Sequence, residues 1–563
     1  MSGYILVIGS ADPTEKLRKI FADDETKTLS LPGSGSALTY VSNSACTREA
    51  SIFQGYGIDH QRERMIFAGA ESADLPDPLA PVEGSYFTAQ FDDRTLRCGA
   101  DVYGFVPMMW FTAPGITAVS DSYLSLIALR RAYGLPCTPD VETIRGRMWL
   151  NSMSLQQLGT ETYCEEISYC TPGTSLTIDH HSNEVMERRL NIPAFYSDAF
   201  IDHADAVTRS ATRMVRTFKT YASTGGLVTL GLSGGTDSRL CLAAALSADI
   251  GDSLHVACTN NQTPDYSVAC RLSDELAFPL NRPNPHVQGR LVQNDLAAGW
   301  AARCMGLYDA LYMPKAFRER DRAVFSVGGQ GAEVAKGNFG WRRIGDIMMP
   351  LESLAQCRRG LEAIGVDPDD RWGSEWHYIA FRNAIHGGRA VLSSDYVARP
   401  AAQIPLIGLS RSTFNDLPAP RKNAPSVVLD VLIKLNPQLA TRPFDESRKN
   451  VSEAYVSERL RRLGGELHAT ELQPYATVGE AWPATGPLKT QVEIARSEGF
   501  TGSLNPASLV PAGERPLDHF DELVPPEIRG RLARVPPAST TRFSAASREA
   551  GALGKVLALT TVM

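Results

Sequence analysis

Residues 226–233, GLVTLGLS, read as a short buried strand, and residues 239–251, RLCLAAALSADIG, as a helix ending at Gly251. Between them stand Ser233, Gly234, Gly235, Thr236, Asp237 and Ser238. No other stretch restricts the fold so strongly. A strand that passes through adjacent glycines into a helix predicts a crossover connection, hence a parallel sheet whose ligands gather at the carboxyl ends of its strands. The chain downstream keeps that alternation. SLHVACTN (253–260) reads as a second strand, DYSVACRLSDELA (265–277) as a second helix, and AVFSVGG (323–329) as a third strand with a glycine turn at its end.

The hexapeptide 233–238 has the composition of a phosphate cradle. Backbone N–H groups at a helix start carry partial positive charge, and glycines allow positive φ and close approach. The hydroxyls of Ser233, Thr236 and Ser238 can donate to phosphate oxygens. Asp237 would repel phosphate on its own, so its presence calls for a bridging Mg²⁺. Gly, Ser and Asp also make plain strand-to-helix turns, but the position between a buried strand and a helix favours the cradle. The Gly-Lys-Ser/Thr ending of a Walker loop is missing here.

Upstream, Ala204, Val207, Ala211, Met214, Val215, Phe218 and Tyr221 recur at three- and four-residue steps, which predicts an amphipathic helix over 202–221. Before residue 200 the pattern is different. YILVIG, SYFTAQFDD, FVPMMWF, ITAVSD and SLTID alternate with turn residues, and only SYLSLIALRRAYG and VETIRGRMWLNSMS look helical. Beyond residue 345 the chain reads as mainly helical, and the proline-rich stretch 506–537 as irregular. The expected fold class is therefore two-domain, α+β then α/β. Layered antiparallel β with helices is expected over 1–200, and a parallel-sheet domain with a helical extension over 201–563. A chain of 563 residues is too long for one core.

A net charge of −7 and the lack of a basic tract argue against a nucleic-acid binder. No run approaches the roughly 20 apolar residues of a membrane helix, and MSGYILVIGS lacks a signal peptide's basic start, so a cytoplasmic location is expected. Ten cysteines run from Cys46 to Cys357 without a CxxC pair or zinc-ligand spacing, and read as reduced thiols, some of them buried. His180 and His181 read as solvated loop residues.

The SGGxDS order in this setting resembles the signature of the ATP pyrophosphatase (PP-loop) superfamily. The whole chain resembles the asparagine synthetase-like family, which includes asparagine synthetases, β-lactam synthetases and lasso peptide cyclases. In that family an Ntn-type glutamine amidotransferase-like domain precedes a PP-loop synthetase domain. GSYFTAQFDD (84–93) and ADVYGFVPMMW (100–110) are similar to its G-x-F-A-x-x-x-D and D-x-x-G-x-x-P-L-Y passages. AVSDSYLSLIAL, Pro172-Gly173, Asp265 and GGQGAEVAKG (328–337) are similar to further family segments, the last to the SGeGaDElfgG loop. The resemblance implies ATP and Mg²⁺ as cofactors. It implies nucleotide contacts from Ser233, Gly234, Gly235, Thr236, Asp237, Ser238, Gly329, Gln330 and Gly331, and metal ligands at Asp237 and Glu333.

The sequence also departs from the family. The glutaminase nucleophile is a cysteine directly after the initiator Met, where this chain carries Ser2. A hydroxyl is a much poorer nucleophile than an activated thiol. The family's RGPD and NGEIYN glutamine-binding segments have no counterpart in residues 40–90. The first domain is therefore expected to be inactive, and the attacking nitrogen to belong to a substrate. Gln330 stands where asparagine synthetases carry Glu and β-lactam synthetases Tyr, and an amide cannot serve as a general base. Glu375 and Tyr378 in SEWHYIAF are the candidates for that role, against a solvated helix face. Lys449 in RPFDESRKN is the candidate for stabilising charge on the reacting phosphate, with Lys434 and Lys422 as alternatives.

The function implied is adenylation of a carboxylate, with release of AMP and pyrophosphate, for attack by an amine. The favoured reading is lasso peptide macrolactam formation, with a protease or leader-binding protein as partner. A β-lactam synthetase-like or ammonia-dependent small-molecule amide synthetase is the alternative, and a degenerate scaffold protein the non-enzyme reading. The substrate is thus a peptide or a small molecule.

Overall fold

Alternating apolar residues in the first 190 positions can bury only one face of each strand, and they build antiparallel sheets. The structure is a computed structural model that describes residues 3–10, 20–21, 26–30, 36–42, 46–48, 51–197, 201–259, 264–293, 295–311, 317–389, 395–417, 425–483, 488–504, 506–535 and 548–563. One sheet has the order Ser168–Cys170, Met108–Ala113, Ile116–Ser120, Tyr4–Ser10, Ser36–Ser42, Thr26–Ser30. The other runs Glu184–Arg188, Ser175–Asp179, Thr95–Ala100, Glu83–Phe91, Ser51–Asp59, Arg64–Phe67. Ala476–Val478, from far along the chain, adds to its edge in parallel. Tyr4 of one sheet stacks on Phe87 of the other at 3.8 Å between ring centroids. The turn after Thr95–Ala100 is held by Asp101, whose carboxylate accepts N–H bonds from Tyr103, Phe105 and Val106.

A separate four-stranded parallel sheet has the order Leu254–Ala257, Leu227–Gly231, Val324–Val327, Tyr396–Ala398. Val228 and Leu230 point to one face and are buried. The expected amphipathic helix, His203–Ser223, covers that face, with Asp202 accepting from Asp205 N–H at its start. Ala206, Val207, Ala211, Met214, Val215, Phe218 and Tyr221 are all fully buried. Thr229, His255 and Ser326 share the opposite face, because paired residues of parallel strands point the same way. The chain thus has mixed α/β content, with antiparallel sheets and a separate parallel sheet.

Neither large apolar cluster stops at residue 200. One brings Tyr123, Trp300, Phe381 and Leu553 together, and the other joins Leu6 and Phe87 to Phe218 and Leu432. Two expectations are corrected. The stretch 506–537 contains the helices Pro506–His519 and Pro526–Leu532, although Pro511 and Pro516 lie inside the first. Packing of Leu509 and Ile528 into a core shared with the C-terminal helix Arg548–Leu559 outweighs the lost N–H donors. His180 is buried rather than solvated, with its Nε2 at 3.2 Å from the Asp92 carbonyl. Nine cysteines among the described residues are free, six of them buried. No helix among the described residues is long and apolar enough to cross a membrane.

Candidate functional site

The order of the parallel sheet fixes where a ligand can sit. Strand Leu227–Gly231 connects onward to one edge, Leu254–Ala257, whereas Val324–Val327 connects to the other, Tyr396–Ala398. The two connections diverge and leave a crevice at the carboxyl ends of the inner strands. A cavity of about 850 Å³ opens there. Ser233, Asp237 and Ser238 line it from one loop, and Gly329, Gln330 and Glu333 from the other.

The glycine loop is held partly by its own side chains. Ser233 and Ser238 hydroxyls lie 2.8 Å apart, and Ser238 Oγ accepts from Ser233 N–H at 3.0 Å. The two serines therefore staple the loop ends together as well as facing the cavity. Asp265 accepts from Gly234 N–H at 2.7 Å, and Asp445 N–H donates to the Gly234 carbonyl at 3.2 Å. Neither Gly234 nor Gly235 uses the positive φ that glycine permits. Gly234 is needed for close approach instead, since a Cβ there would lie 2.5 Å from Asp445 Cβ. Helix Thr236–Ser247 follows, and its N-cap, Gly235, supplies no side-chain acceptor. First-turn N–H groups of this helix are thus left for a ligand at its positive end.

The second loop presses directly on the first. A Cβ on Gly329 would lie 2.7 Å from Asp237 Cβ. Glu333 accepts from Gly331 N–H at 2.7 Å, while Lys336 Nζ donates to Asp237 Oδ1 at 2.6 Å. Burial and then the charge of Asp237 push the Glu333 carboxyl above its ordinary value. Tyr378 donates to Glu333 Oε1 at 3.3 Å and accepts from Asn338 at 3.2 Å. It begins a π-helical turn, Tyr378–Asn383, which also brings Arg382 to the cavity. Arg382 donates to Gln156 at 3.0 Å. His386 Nδ1 lies 2.7 Å from the Tyr308 hydroxyl. Burial, with Arg382 and Arg399 nearby, depresses His386 well below the ordinary histidine range and keeps it neutral. The ion pair Arg320–Asp395, 2.8 Å, and His255 complete the wall.

Lys336, Asn338, Arg382 and His386 escaped the sequence reading. Tyr378, Arg382 and His386 recur every four residues, a polar stripe that a helical wheel would have shown. Thr236, Gly331, Gly234 and Gly235 belong to the two loops but are not among the residues facing the cavity. Glu375 also lies outside its lining. Its fully buried carboxylate accepts from Phe339 N–H at 2.6 Å and Trp341 N–H at 3.3 Å, so it shapes the turn behind the cavity. The solvated helix face weighed for Glu375 and Tyr378 is corrected, for both are buried. Lys449 bonds Asp445 at 3.0 Å and Glu446 at 2.7 Å, and borders the glycine loop through Asp445. Burial works to lower its pKa, but these carboxylates outweigh it. Lys434 is buried and donates to the Leu463 carbonyl. Ser2 and Lys422 lie outside the described residues. Gly3, the first described residue, is covered by the Gln491 side chain.

Asp237 and Glu333 suit Mg²⁺, which takes one or two carboxylates and completes its shell with phosphate and water. Burial first, and the charge of Asp237 second, raise the Glu333 carboxyl, and a cation between the two carboxylates would favour their ionised forms. A metal-like group elsewhere, His203, Asp416 and Asp430, already has its cation. Arg459 donates to Asp430 at 2.6 Å and to Asp416 at 2.8 Å.

No family model and no curated protein matches the chain. Among solved structures, it is similar to the glutamine phosphoribosylpyrophosphate (PRPP) amidotransferase from B. subtilis, complexed with ADP and GMP. The identity is 9%, the match covers 66% of this chain and 94% of that one, and the TM-score is 0.21. A likeness of that degree assigns no family, and the chain is defined by its own architecture of antiparallel sheets beside a parallel sheet with a loop-lined crevice.

Proposed function

We propose that this chain is an ATP-dependent, AMP-forming carbon–nitrogen ligase that activates a substrate carboxylate for attack by a substrate amine. The observation that carries the reading is the meeting of two loops at the crevice, with the uncapped start of Thr236–Ser247, Asp237, Glu333 and Lys336 converging on it. In the first step a carboxylate oxygen attacks the α-phosphorus, the bond from that phosphorus to the α,β-bridging oxygen breaks, and pyrophosphate leaves carrying that oxygen. In the second an amine nitrogen attacks the acyl carbon, AMP leaves, and the nitrogen loses a proton.

The helix start and Lys336 supply fixed positive charge where the phosphates lie. Asp237 and Glu333 would hold Mg²⁺, which when bound neutralises charge on the leaving pyrophosphate. Glu375 accepts two backbone N–H bonds away from the cavity and takes no part in proton transfer. Burial and the charge of Glu333 hold the Tyr378 hydroxyl well above its ordinary pKa, so it donates a hydrogen bond rather than removing a proton. Burial with Arg382 and Arg399 disfavours a proton on His386, so it serves as a neutral hydrogen-bonding group of the wall and the amine proton passes to solvent.

The substrate proposed is a peptide that closes on itself through an Asp or Glu side chain, as in lasso peptide cyclases. Support comes from Ser2 in place of the family's cysteine, from Gln330, and from a cavity near the upper end of the usual size range for ligand sites. The test is to incubate the protein with ATP, Mg²⁺ and candidate substrates and to separate the nucleotides. AMP in step with amide product is expected, peptide macrolactam or small-molecule amide identifying the substrate class. Uncleaved ATP with every substrate would leave the scaffold reading in its place, and ADP as product would contradict AMP-forming activation.

A further inference from the structure

Among the described residues three arginines line the crevice, and two of them are engaged by the protein itself. Arg399 is buried and donates to the carbonyls of Ser326, Gly387 and Ala398. Arg320 pairs with the Asp395 carboxylate. Arg382 has neither a carboxylate nor a backbone carbonyl. Its Nη1 donates to the Gln156 side-chain oxygen at 3.0 Å and to the Tyr308 hydroxyl at 3.4 Å, both uncharged. Its Nε and Nη2 have no partner among the described residues.

The guanidinium is nevertheless held in a fixed place. Gln156 Nε2 donates to the carbonyls of Ser152, at 3.0 Å, and Met153, which turns the amide oxygen towards Arg382. The backbones of Gln156 and Tyr308 are bridged antiparallel, and both residues are fully buried. The guanidinium carbon lies 5.7 Å from the centre of the Tyr308 ring. One edge of the fork is thus pinned, and the edge made by Nε and Nη2 stays open. That edge can give two parallel bonds to a planar oxyanion.

The carboxylates of the crevice are already met. Asp237 accepts from Lys336, Asp395 from Arg320, and Glu333 from Gly331 N–H and the Tyr378 hydroxyl. A cation without a counter-charge in a walled crevice draws in an anion. Tyr378, which meets Glu333, opens the π-helical turn that carries Arg382. An anion at Arg382 is therefore offset by about one helical turn from the carboxylates proposed for Mg²⁺.

We propose that Arg382 binds a second, non-reacting carboxylate of the acyl substrate, so that the chain selects substrates with two carboxylates. One carboxylate is activated. The other is gripped by Nε and Nη2 and sets how far the first reaches towards the ATP phosphates. In a peptide the second carboxylate is an acidic side chain near the one that closes the ring. The role of the first carboxylate rests on the ligase reading, whereas the anion site does not.

The test titrates the full chain, without ATP, with an end-blocked diglutamyl peptide and with its two forms in which one glutamate is replaced by glutamine. The diglutamyl peptide is expected to bind at least about tenfold more tightly than either. Arg382→Met should bring it to the level of the single-acid peptides and leave ATP affinity unchanged. Arg382→Lys keeps the charge but not the fork, and should fall between. Equal binding of the three peptides by the unmutated protein, or none, would overturn the proposal, as would a preference that survives in folded Arg382→Met. A loss of ATP affinity in place of peptide affinity would give Arg382 to the nucleotide phosphates and overturn it too. Failure of the ligase reading shows separately, as missing ATP–pyrophosphate exchange with the peptide preference intact, a result that still supports the anion site.

Discussion

Lys336 Nζ stands 2.6 Å from Asp237 Oδ1 and ties the turn after Val324–Val327 to the first turn of the helix that follows the glycine loop. The pair spans the crevice where the connections of the parallel sheet diverge. It is also one-quarter to one-third exposed, so it contributes little to stability and is free to serve a ligand.

Lys336→Met should therefore separate function from folding. The loss of fixed positive charge beside Asp237 and Glu333 is expected to slow ATP cleavage by roughly 10- to 1,000-fold. The unfolding free energy measured in urea should fall by about 1 kcal/mol or less. Steady-state rates and equilibrium unfolding on the same preparation check both halves.

Gly234→Ala would place a methyl group 2.5 Å from Asp445 Cβ, inside contact distance. The segment carrying Asp445 and Lys449 must then move off the glycine loop. The expected result is loss of nucleotide binding in a titration, with a stability cost of about 1–3 kcal/mol from overpacking.

Glu375 makes an opposite case, a buried carboxylate whose work is structural. Glu375→Ala strips the acceptor from Phe339 and Trp341 N–H and should cost about 2–4 kcal/mol in urea unfolding. Glu375→Gln keeps one acceptor oxygen and should cost less while retaining most activity. An inactive but fully stable Glu375→Gln protein would return Glu375 to the list of reacting groups.

Lys555 is fully buried against Asp309, at 3.1 Å, where Arg147 already makes two bonds of 2.8 Å to the same carboxylate. Burial lowers Lys555 from 10.5 to about 8, with Asp309 opposing and Arg147 reinforcing. Between those values the unfolded chain holds a proton that the folded chain does not. Stability should accordingly rise as pH climbs from about 8 to about 10.5, by at most about 3 kcal/mol, and be unaffected by this group below 8. Lys555→Met should flatten that rise in denaturant midpoints measured across the range. A rise of the same size in Lys555→Met would assign it to other groups.

The parallel sheet was legible because its strands are apolar runs punctuated by glycine, as in GLVTLGLS and AVFSVGG. The helix over 202–221 was legible because seven apolar residues mark one face. Glu375 and Tyr378 show where such reading ends. Three residues apart, they read as neighbours on one face, but the helix Gly373–His377 passes into the π-helical turn Tyr378–Asn383 between them. One residue reaches the cavity and the other props a turn behind it. Lys449 is close to the glycine loop in space, yet Asp445 and Glu446 hold its ammonium, and local spacing cannot choose between a carboxylate neighbour and a ligand. The helix Pro506–His519 was hidden because its prolines argue locally against it while long-range packing decides for it.

The most direct test of the central claim is ATP–pyrophosphate exchange, which reports adenylate formation without requiring the amine. Labelled pyrophosphate should enter ATP when a cognate carboxylate and Mg²⁺ are present, and Asp237→Asn should reduce that rate by at least about 100-fold, the scale expected on removing a group that organises transition-state charge. Exchange that persists unchanged in a folded Asp237→Asn protein would contradict the account.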